Sequence, residues 1–294
     1  MRRRSVLALG AFAVGACAPS GEERPGSPSA TTTTPTSSPP APAPTPTPIP
    51  PLTPVAPSPT PSIPSRDEVV ALFEGERPSQ FGLEVDGVVL RHEKPHVALT
   101  FDACGGRNGS GVDEDLLSVL ESTSTPATLF INARWAEANP SRLVELITNP
   151  LFEIGNHGTR HLPLSVAGEE AYGIPGTASV AEVYDEVAGA QEMLTDLIGE
   201  APRFFRSGTA HYDDVAVRIV EALGLTTVNF DVNSDAGATF TPAQVHSETI
   251  RARQGSICIG HFNRPGSGTA EGMRAAIPTL LDNGLTFARL GDLL

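Results

Sequence analysis

The region from residue 66 to 294 alternates short apolar runs with longer segments in which apolar residues recur every three or four positions. Short apolar runs are typical of buried strands, and the longer pattern is typical of amphipathic helices. Strands are predicted at 97–102, 127–132, 152–156, 203–206, 226–231, 256–261 and 286–290. Helices are predicted at 113–121, 141–148, 179–198, 213–223, 242–253 and 270–283. This order predicts an α/β fold with a parallel sheet, open or closed into a barrel.

Polar side chains follow the apolar strands at their carboxyl ends. Five of them could take part in chemistry, namely Asp102, His157, Arg206, Asp231 and His261. In a parallel barrel the carboxyl ends of the strands converge on one rim, so the pattern predicts a site there. Before the first of these strands, residues 80–93 are predicted to form an additional hairpin.

The segment Asn156–His161, NHGTRH, places two histidines four residues apart. On a helical turn this spacing brings both imidazoles to one side, where they can bind one divalent cation. A metal with an open position lowers the pKa of a bound water and polarises a carbonyl. Such a site needs a base, and Asp102 is available for that role.

Four motifs, in order along the chain, resemble those of the polysaccharide deacetylases, the NodB-homology enzymes of carbohydrate esterase family four. They are Thr100–Asp102, His157–His161, Arg206 and Ile259–His261, and the resemblance spans about residues 95–292. It implies a distorted (β/α) barrel of parallel strands. It also implies hydrolysis of N-acetyl groups from amino sugars in polymers such as peptidoglycan or chitin.

The resemblance implies a role for each matching residue. Asp102 corresponds to the general base, and Arg206 to the residue that orients it. His157 and His161 correspond to the metal ligands, and His261 to the general acid on the leaving amine. The expected cofactor is a divalent metal, zinc first, with cobalt, manganese and nickel as alternatives.

Three departures from the family pattern concern the metal and the substrate. Ala103 stands where the family has its second aspartate, a metal ligand. Arg206 is followed by a serine, a glycine and Thr209, without the usual proline and aromatic residue. The fourth motif has no tryptophan and offers Asp231 and Asp235 instead. Thr209 and the two aspartates are therefore candidates for contacts to substrate or oxyanion.

The third ligand of the metal stays open at this point. Asp102, the thiolate of Cys104 and water are the alternatives, and a thiolate suits zinc best. Because Ala103 and Cys104 leave the chain in different directions, Asp102 and water are ranked ahead of Cys104. Loss of the metal is a further alternative.

The amino-terminal residues predict export. Residues 1–17 carry three arginines and a short apolar run that ends in Cys17, which predicts a signal peptide with a lipobox and a lipid on this cysteine. An ordinary cleaved signal is the alternative. Residues 18–65 are predicted to be a disordered linker, with 16 prolines between residues 25 and 64. Residues 66–294 would then form a catalytic domain, lipid-anchored at the membrane or lying in the cell wall or outside the cell.

Charge and cysteine content restrict the partners. The chain has 34 acidic against 20 basic side chains, a formal charge of −14, which argues against nucleic acid. Apart from Cys17 only Cys104 and Cys258 are present; they could pair, but two separate buried thiols are favoured.

The sequence therefore favours a metal-dependent carbohydrate deacetylase acting on a polysaccharide with N-acetylated amino sugars. Its only membrane contact would be a lipid anchor. Two alternatives remain. One is a tethered, non-catalytic glycan-binding lipoprotein, and the other is an amidase of the same fold acting on a small non-sugar amide.

Overall fold

The computed structural model describes residues 63–294. Cys17, the predicted leader and nearly all of the predicted linker lie outside these residues. The helices are α1 Arg66–Phe73, α2 Glu114–Ser122, α3 Ala133–Ala138, α4 Pro140–Thr148, α5 Val180–Ile198, α6 Asp214–Ala222, α7 Pro242–Thr249, α8 Thr269–Asp282 and α9 Leu290–Leu293. The strands are β1 Phe81–Gly82, β2 Ala98–Ala103, β3 Ala127–Ile131, β4 Phe152–Asn156, β5 Phe204–Phe205, β6 Tyr212–Asp213, β7 Thr226–Thr227, β8 Val232–Asn233 and β9 Ile257–His261. Within this part of the chain no helix has the length and apolar character needed to span a bilayer.

Seven of the strands in residues 63–294 form one parallel sheet in the order β7-β5-β4-β3-β2-β9-β8. Its two edge strands, β7 and β8, are joined by only residues 228–231. Five Cα steps span at most about 18 Å. The sheet must therefore curl until its edges approach each other. The predicted α/β fold, a distorted barrel of parallel strands, is confirmed.

Alternation along β2 separates the helix-covered core from the site. Leu99, Phe101 and Ala103 belong to the largest core cluster, which includes apolar side chains of α2 and α8. Ala98 belongs to a different cluster, together with residues of β9 and α9. Asp102 projects to the same side of β2 as Ala98, because successive side chains of a strand alternate between faces. That face therefore changes from apolar to polar toward the carboxyl end.

Two predicted strands differ from the structure. The strand predicted at 226–231 is divided, because residues 228–231 carry the chain from one edge of the sheet to the other. The strand predicted at 286–290 is reduced to one bridge between Val97 and Phe287, since α9 begins at Leu290. The helix predicted at 242–253 ends at Thr249. The other five predicted helices agree within one or two residues.

The hairpin predicted at 80–93 is wrong. Strand β1 pairs with the distant strand β6 in antiparallel register. Farther along, Val89 and Arg91 make isolated bridges to residues near β7 and β9. The segment therefore lies across the barrel, and its partners are more than 100 residues away in sequence, which local alternation does not reveal.

Candidate active site

A cavity of about 510 Å³ opens at the carboxyl ends of β2 and β9. Asp102, His161, Thr209 and His261, four of the residues selected from the sequence, line it together with Cys104. The carboxyl ends of neighbouring parallel strands meet at one rim, which explains how residues so far apart in sequence converge. Three buried side chains contact the lining residues: His157 and Arg206 lie against Asp102, and Asp235 lies against His261.

Asp102 is fixed by a buried arginine. One Nη of Arg206 donates to the carboxylate at 2.8 Å and to the Thr100 hydroxyl at 2.9 Å. The ring of Phe130 lies 4.2 Å from the guanidinium carbon. Burial alone raises the pKa of Asp102, but the charges of Arg206 and the neighbouring histidines hold it below its usual value. Asp102 is therefore ionised and held in one orientation, as a general base requires.

The orientation of His157 is set by its backbone and by its ring. The Asn132 side-chain amide donates to the His157 carbonyl at 2.9 Å. The His157 Nδ1–H donates to the Arg206 carbonyl at 2.9 Å, because a carbonyl can only accept. The Nε2 atom is left facing the cavity side, 3.7 Å from Asp102 and 3.8 Å from the Cys104 sulfur.

The loop that carries His161 is held by Glu186, a residue that the sequence argument missed. Glu186 lies fully buried on α5, and its Oε1 accepts the backbone N–H groups of Arg160 at 2.9 Å and His161 at 2.8 Å. His161 has a φ of 68°, in the left-handed region, which is costly for a non-glycine residue. The buried carboxylate offsets this cost by satisfying the loop's N–H groups.

Replacing Glu186 with Ala should therefore release this loop. We expect metal affinity to fall about 10- to 100-fold, the loss typical when a group supporting a ligand is removed. Glu186→Gln should lose less, because an amide oxygen can still accept the backbone N–H groups. Zinc affinity, measured by competition with a chelator, tests this. The control is Glu192→Ala, an exposed position on the same helix, and an equal loss there would contradict the assignment.

Cys104 completes a cluster with the two histidines. The ligand atoms of Cys104, His157 and His161 all lie within 4.8 Å of one another. Ala103, by contrast, is fully buried in the helix-covered core. The geometry therefore favours Cys104 as the third ligand, whereas the sequence ranks Asp102 and water ahead of it. Residues 102 and 104 lie on the same side of an extended chain, so strand alternation favours the cysteine.

The cluster fits a divalent metal. The Nε2 of His161 is buried and has no hydrogen-bond partner among the described residues. Burial raises the pKa of the Cys104 thiol, but the charge of His161 and a hydrogen bond with His157 bring it well below its usual value. A thiolate with two imidazoles is a donor set that suits zinc. Manganese, which prefers oxygen ligands, is less well matched to the sulfur.

His261 is paired with Asp235. The His261 Nδ1 lies 2.9 Å from Asp235 Oδ1, and the backbone N–H of His261 donates to Oδ2 at 2.7 Å. Burial lowers the pKa of His261, but the Asp235 charge and hydrogen bond raise it well above its usual value. The ring is therefore protonated at neutral pH, with Nε2 as the nitrogen left for a substrate.

Of the three substrate candidates, two lie near the cavity. Thr209 lines it, and its hydroxyl is buried without a partner among the described residues. Asp235 reaches it through His261. Asp231 is not brought there. It pairs with Arg91 and accepts the backbone N–H of Ile257 at 2.9 Å, outside the cavity lining.

The glycine that replaces the family's usual proline has a steric reason. A Cβ at Gly208 would lie 2.3 Å from the backbone of His161. Only glycine therefore fits while His161 keeps its left-handed conformation.

One exposed aromatic side chain lies at the cavity. Tyr172 lies at the cavity with 76% of its surface exposed, and its ring packs edge-on against His211 at 5.1 Å. It offers the aromatic surface that the sequence motifs lack.

Cys104 and Cys258 are both free, so the suggested disulfide is absent from the described residues.

Comparison with known proteins gives the same family as the motifs. Residues 90–228 match the family model described as polysaccharide deacetylase. This match ends before His261.

Several solved structures share the fold. The wild-type pseudoenzyme BA3943 of carbohydrate esterase family four, from Bacillus anthracis, is 22% identical, with 69% of this chain and 67% of that chain covered and a TM-score of 0.58. PdaA from Bacillus subtilis, a family 4 carbohydrate esterase, is 22% identical over 70% of this chain and 84% of its own, with a TM-score of 0.57. The Bc1960 peptidoglycan N-acetylglucosamine deacetylase is 21% identical over 71% and 92%, with a TM-score of 0.60.

A mutant of BA3943 with restored enzymatic activity is 24% identical, covers 69% of this chain and 70% of its own, and has a TM-score of 0.58. The fold is therefore shared by a peptidoglycan N-acetylglucosamine deacetylase and by a pseudoenzyme. The motifs and the family match together identify residues 90–228 as a polysaccharide deacetylase domain.

Proposed function

We propose that this protein removes N-acetyl groups from amino sugars of a cell-envelope or extracellular polysaccharide, such as peptidoglycan or chitin. One observation carries the proposal. An ionised carboxylate, a cluster of metal-binding side chains and a protonated imidazole lie around one cavity. Amide hydrolysis needs an activated water, a stabilised oxyanion and a proton for the leaving nitrogen.

Each residue has a definite task in this reaction. Cys104, His157 and His161 would hold a divalent metal, which when bound activates water and polarises the amide carbonyl. Asp102, held by Arg206, accepts the proton of the attacking water. His261 donates a proton to the departing amine through Nε2, because Nδ1 is engaged by Asp235.

The exposed ring of Tyr172 supports a sugar as the substrate. Aromatic faces give a large apolar contact area to ligands that also carry polar groups. Without an aromatic residue directly after Arg206, the cavity lining has the rings of Tyr172 and the half-buried Phe230, and of these two Tyr172 is the exposed one. The proposal is tested by incubating the purified protein with N-acetylglucosamine oligomers and zinc and measuring released acetate. Absence of acetate with all four candidate metals would contradict it.

The pH profile provides a test of the general acid. Asp102 has a lowered pKa and His261 a raised one, so kcat/KM should remain high through neutral pH. In Asp235→Asn the carboxylate that raises the pKa of His261 is lost, while burial still lowers it. We expect the alkaline limb of the profile to move to lower pH. The acid limb, set by Asp102, should stay in place, and a shift of both limbs would contradict the assignment.

A binding role without catalysis is the second candidate. It is favoured by Ala103 and by the likeness to a pseudoenzyme of the same fold. The metal content of the purified protein separates the two candidates. One zinc per chain in the wild type, lost in His157→Ala, supports the enzyme. If the substrate is instead a small non-sugar amide that carries an acetyl group, its hydrolysis should release acetate. Added sugar oligomers should then leave that rate unchanged.

The place of action is also a proposal. The leader and the cysteine at position 17 support export and a lipid anchor, with the proline-rich segment as a tether. The domain would then act in the cell envelope, in contact with the membrane only through its lipid.

A further inference from the structure

The turn that begins at Arg206 contacts three of the groups assigned to catalysis and metal binding. The Arg206 guanidinium donates to Asp102 at 2.8 Å, and the Arg206 carbonyl accepts from Nδ1 of His157 at 2.9 Å. The backbone at Gly208 lies so close to His161 that an added Cβ would be 2.4 Å from Cγ of its ring. The turn is therefore fixed beside the place where the amide carbon would be attacked.

The next two residues of the turn, Thr209 and Ala210, line the cavity and are held from outside. Nδ1 of His211 donates to the Thr209 carbonyl at 2.8 Å, because a carbonyl can only accept. The Asn229 side-chain amide donates to the Ala210 carbonyl at 2.8 Å and to the carbonyl of Leu83, another lining residue, at 2.7 Å. This part of the cavity wall is thus built in one conformation.

The Thr209 side chain has an unused hydrogen-bonding group. The residue is 9% exposed, and its hydroxyl makes no hydrogen bond to any described residue. Buried polar groups in native proteins almost always have a partner, so a ligand in the cavity is expected to supply one. In the proposed reaction the amide oxygen faces the metal and the amide nitrogen faces His261. The partner of Thr209 therefore comes from another part of the substrate, and the acyl end is the part held beside this turn.

Small side chains leave room for a longer acyl group. The position of Thr209 holds an aromatic residue in the family pattern, and a threonine side chain is smaller than any aromatic one. Ala236 and Gly237 also line the cavity. They directly follow Asp235, whose carboxylate lies 2.9 Å from Nδ1 of His261. The lining on both sides of the reacting groups is therefore made of residues that do not close the space beyond an acetyl methyl.

We infer that the site takes an N-hydroxyacetyl group, which is an acetyl group with a hydroxyl on its methyl carbon, and prefers it to an N-propionyl group of the same size. The hydrolysis rests on the proposed function, whereas the acyl preference is new and rests on Thr209. A hydroxyl both donates and accepts, so the acyl hydroxyl and that of Thr209 can pair. The water oxygen bonds to the acyl carbon, the C–N bond breaks, His261 gives its proton to the amine, and hydroxyacetate leaves in place of acetate.

Glucosamine oligomers with N-hydroxyacetyl or N-propionyl groups test the inference, because the two acyl groups differ only in a hydroxyl against a methyl. Amine formation by the zinc-loaded protein, followed with an amine-reactive dye, gives kcat/KM for each. We expect kcat/KM to be about tenfold higher for the hydroxyacetyl oligomer, the effect of satisfying one buried polar group. It should also be no lower than kcat/KM for the N-acetyl oligomer, because the cavity has room for the extra atom.

A matched pair of variants locates the effect. Thr209→Val keeps the shape of the side chain and removes its hydroxyl, so most of the tenfold ratio between the hydroxyacetyl and propionyl oligomers should be lost. Thr227→Val is the control. The hydroxyl of Thr227 is likewise buried without a partner among the described residues, but it belongs to β7 and lies outside the cavity lining. This variant should leave the ratio unchanged.

The outcomes separate the inference from the proposed function. Equal kcat/KM for the hydroxyacetyl and propionyl oligomers, or an equal change of their ratio in Thr227→Val, overturns the inference even if both are hydrolysed. A kcat/KM for the hydroxyacetyl oligomer tenfold below that for the acetyl oligomer also overturns it. If no oligomer yields amine, the proposed hydrolysis fails, and calorimetry with the same oligomers then measures binding. Tenfold tighter binding of the hydroxyacetyl oligomer that depends on Thr209 supports the inference, and equal affinities overturn it.

Discussion

Replacing Asp102 with Asn is expected to lower the rate of acetate release about 1000-fold, within the range that general base catalysis contributes. The substitution keeps the shape of the side chain but removes its charge and its ability to accept a proton from water. It also leaves the buried Arg206 without its counter-charge, and breaking such a pair costs about 3–5 kcal/mol. The free energy of unfolding, measured with urea, should fall accordingly.

Asp231→Asn is the matched control for this variant. Asp231 is likewise an aspartate paired with an arginine, Arg91, but its side chain is more exposed than that of Asp102 and lies outside the cavity lining. We expect its acetate release to stay within about twofold of wild type, even where stability falls, since it touches none of the reacting groups. Equal losses of rate in both variants would indicate a general effect on folding and contradict the role of Asp102.

Replacing Cys104 with Ala is expected to remove one of the three proposed metal ligands. Loss of a group that only supports a ligand lowers metal affinity 10- to 100-fold, so loss of the ligand itself should exceed about 100-fold. The purified variant should contain far less than one zinc per chain, as measured by inductively coupled plasma mass spectrometry. Acetate release should fall with it and return in part at high zinc concentration.

Cys258→Ala provides the control for the second variant. Cys258 is buried in the helix-covered core, on the opposite side of β9 from the cavity lining. Burial raises the pKa of its thiol. This change should reduce stability by the small amount typical of losing one buried sulfur, with zinc content unchanged. Full zinc content in Cys104→Ala would show that Asp102 or water, and not Cys104, completes the site.

The convergence of Asp102, Arg206 and His261 could be predicted from the sequence. Each follows an apolar run, and parallel strands bring such positions to one rim. The place of Cys104 in the cluster with His157 and His161 could also have been found. Residues i and i+2 of a strand share a face, which places Cys104 beside Asp102 and turns Ala103 into the core.

Other features lie beyond local pattern. Glu186 is 25 residues from His161 along the chain. Its position on the buried face of a predicted helix is the one signal in the sequence, because a buried carboxylate needs hydrogen-bond partners. The division of the 226–231 strand results from closing the barrel. The antiparallel pairing of β1 with β6 is a contact between distant segments, which alternation along either segment does not encode.

We propose that this domain is an active enzyme whose metal site is completed by Cys104. The most direct measurement is a titration of zinc into chelator-stripped protein, with acetate release from an N-acetylated glycan followed at each addition. We predict that the rate rises from zero and reaches a plateau at one zinc per chain. Zinc bound at one per chain without acetate release from neutral or acidic glycans would contradict the account.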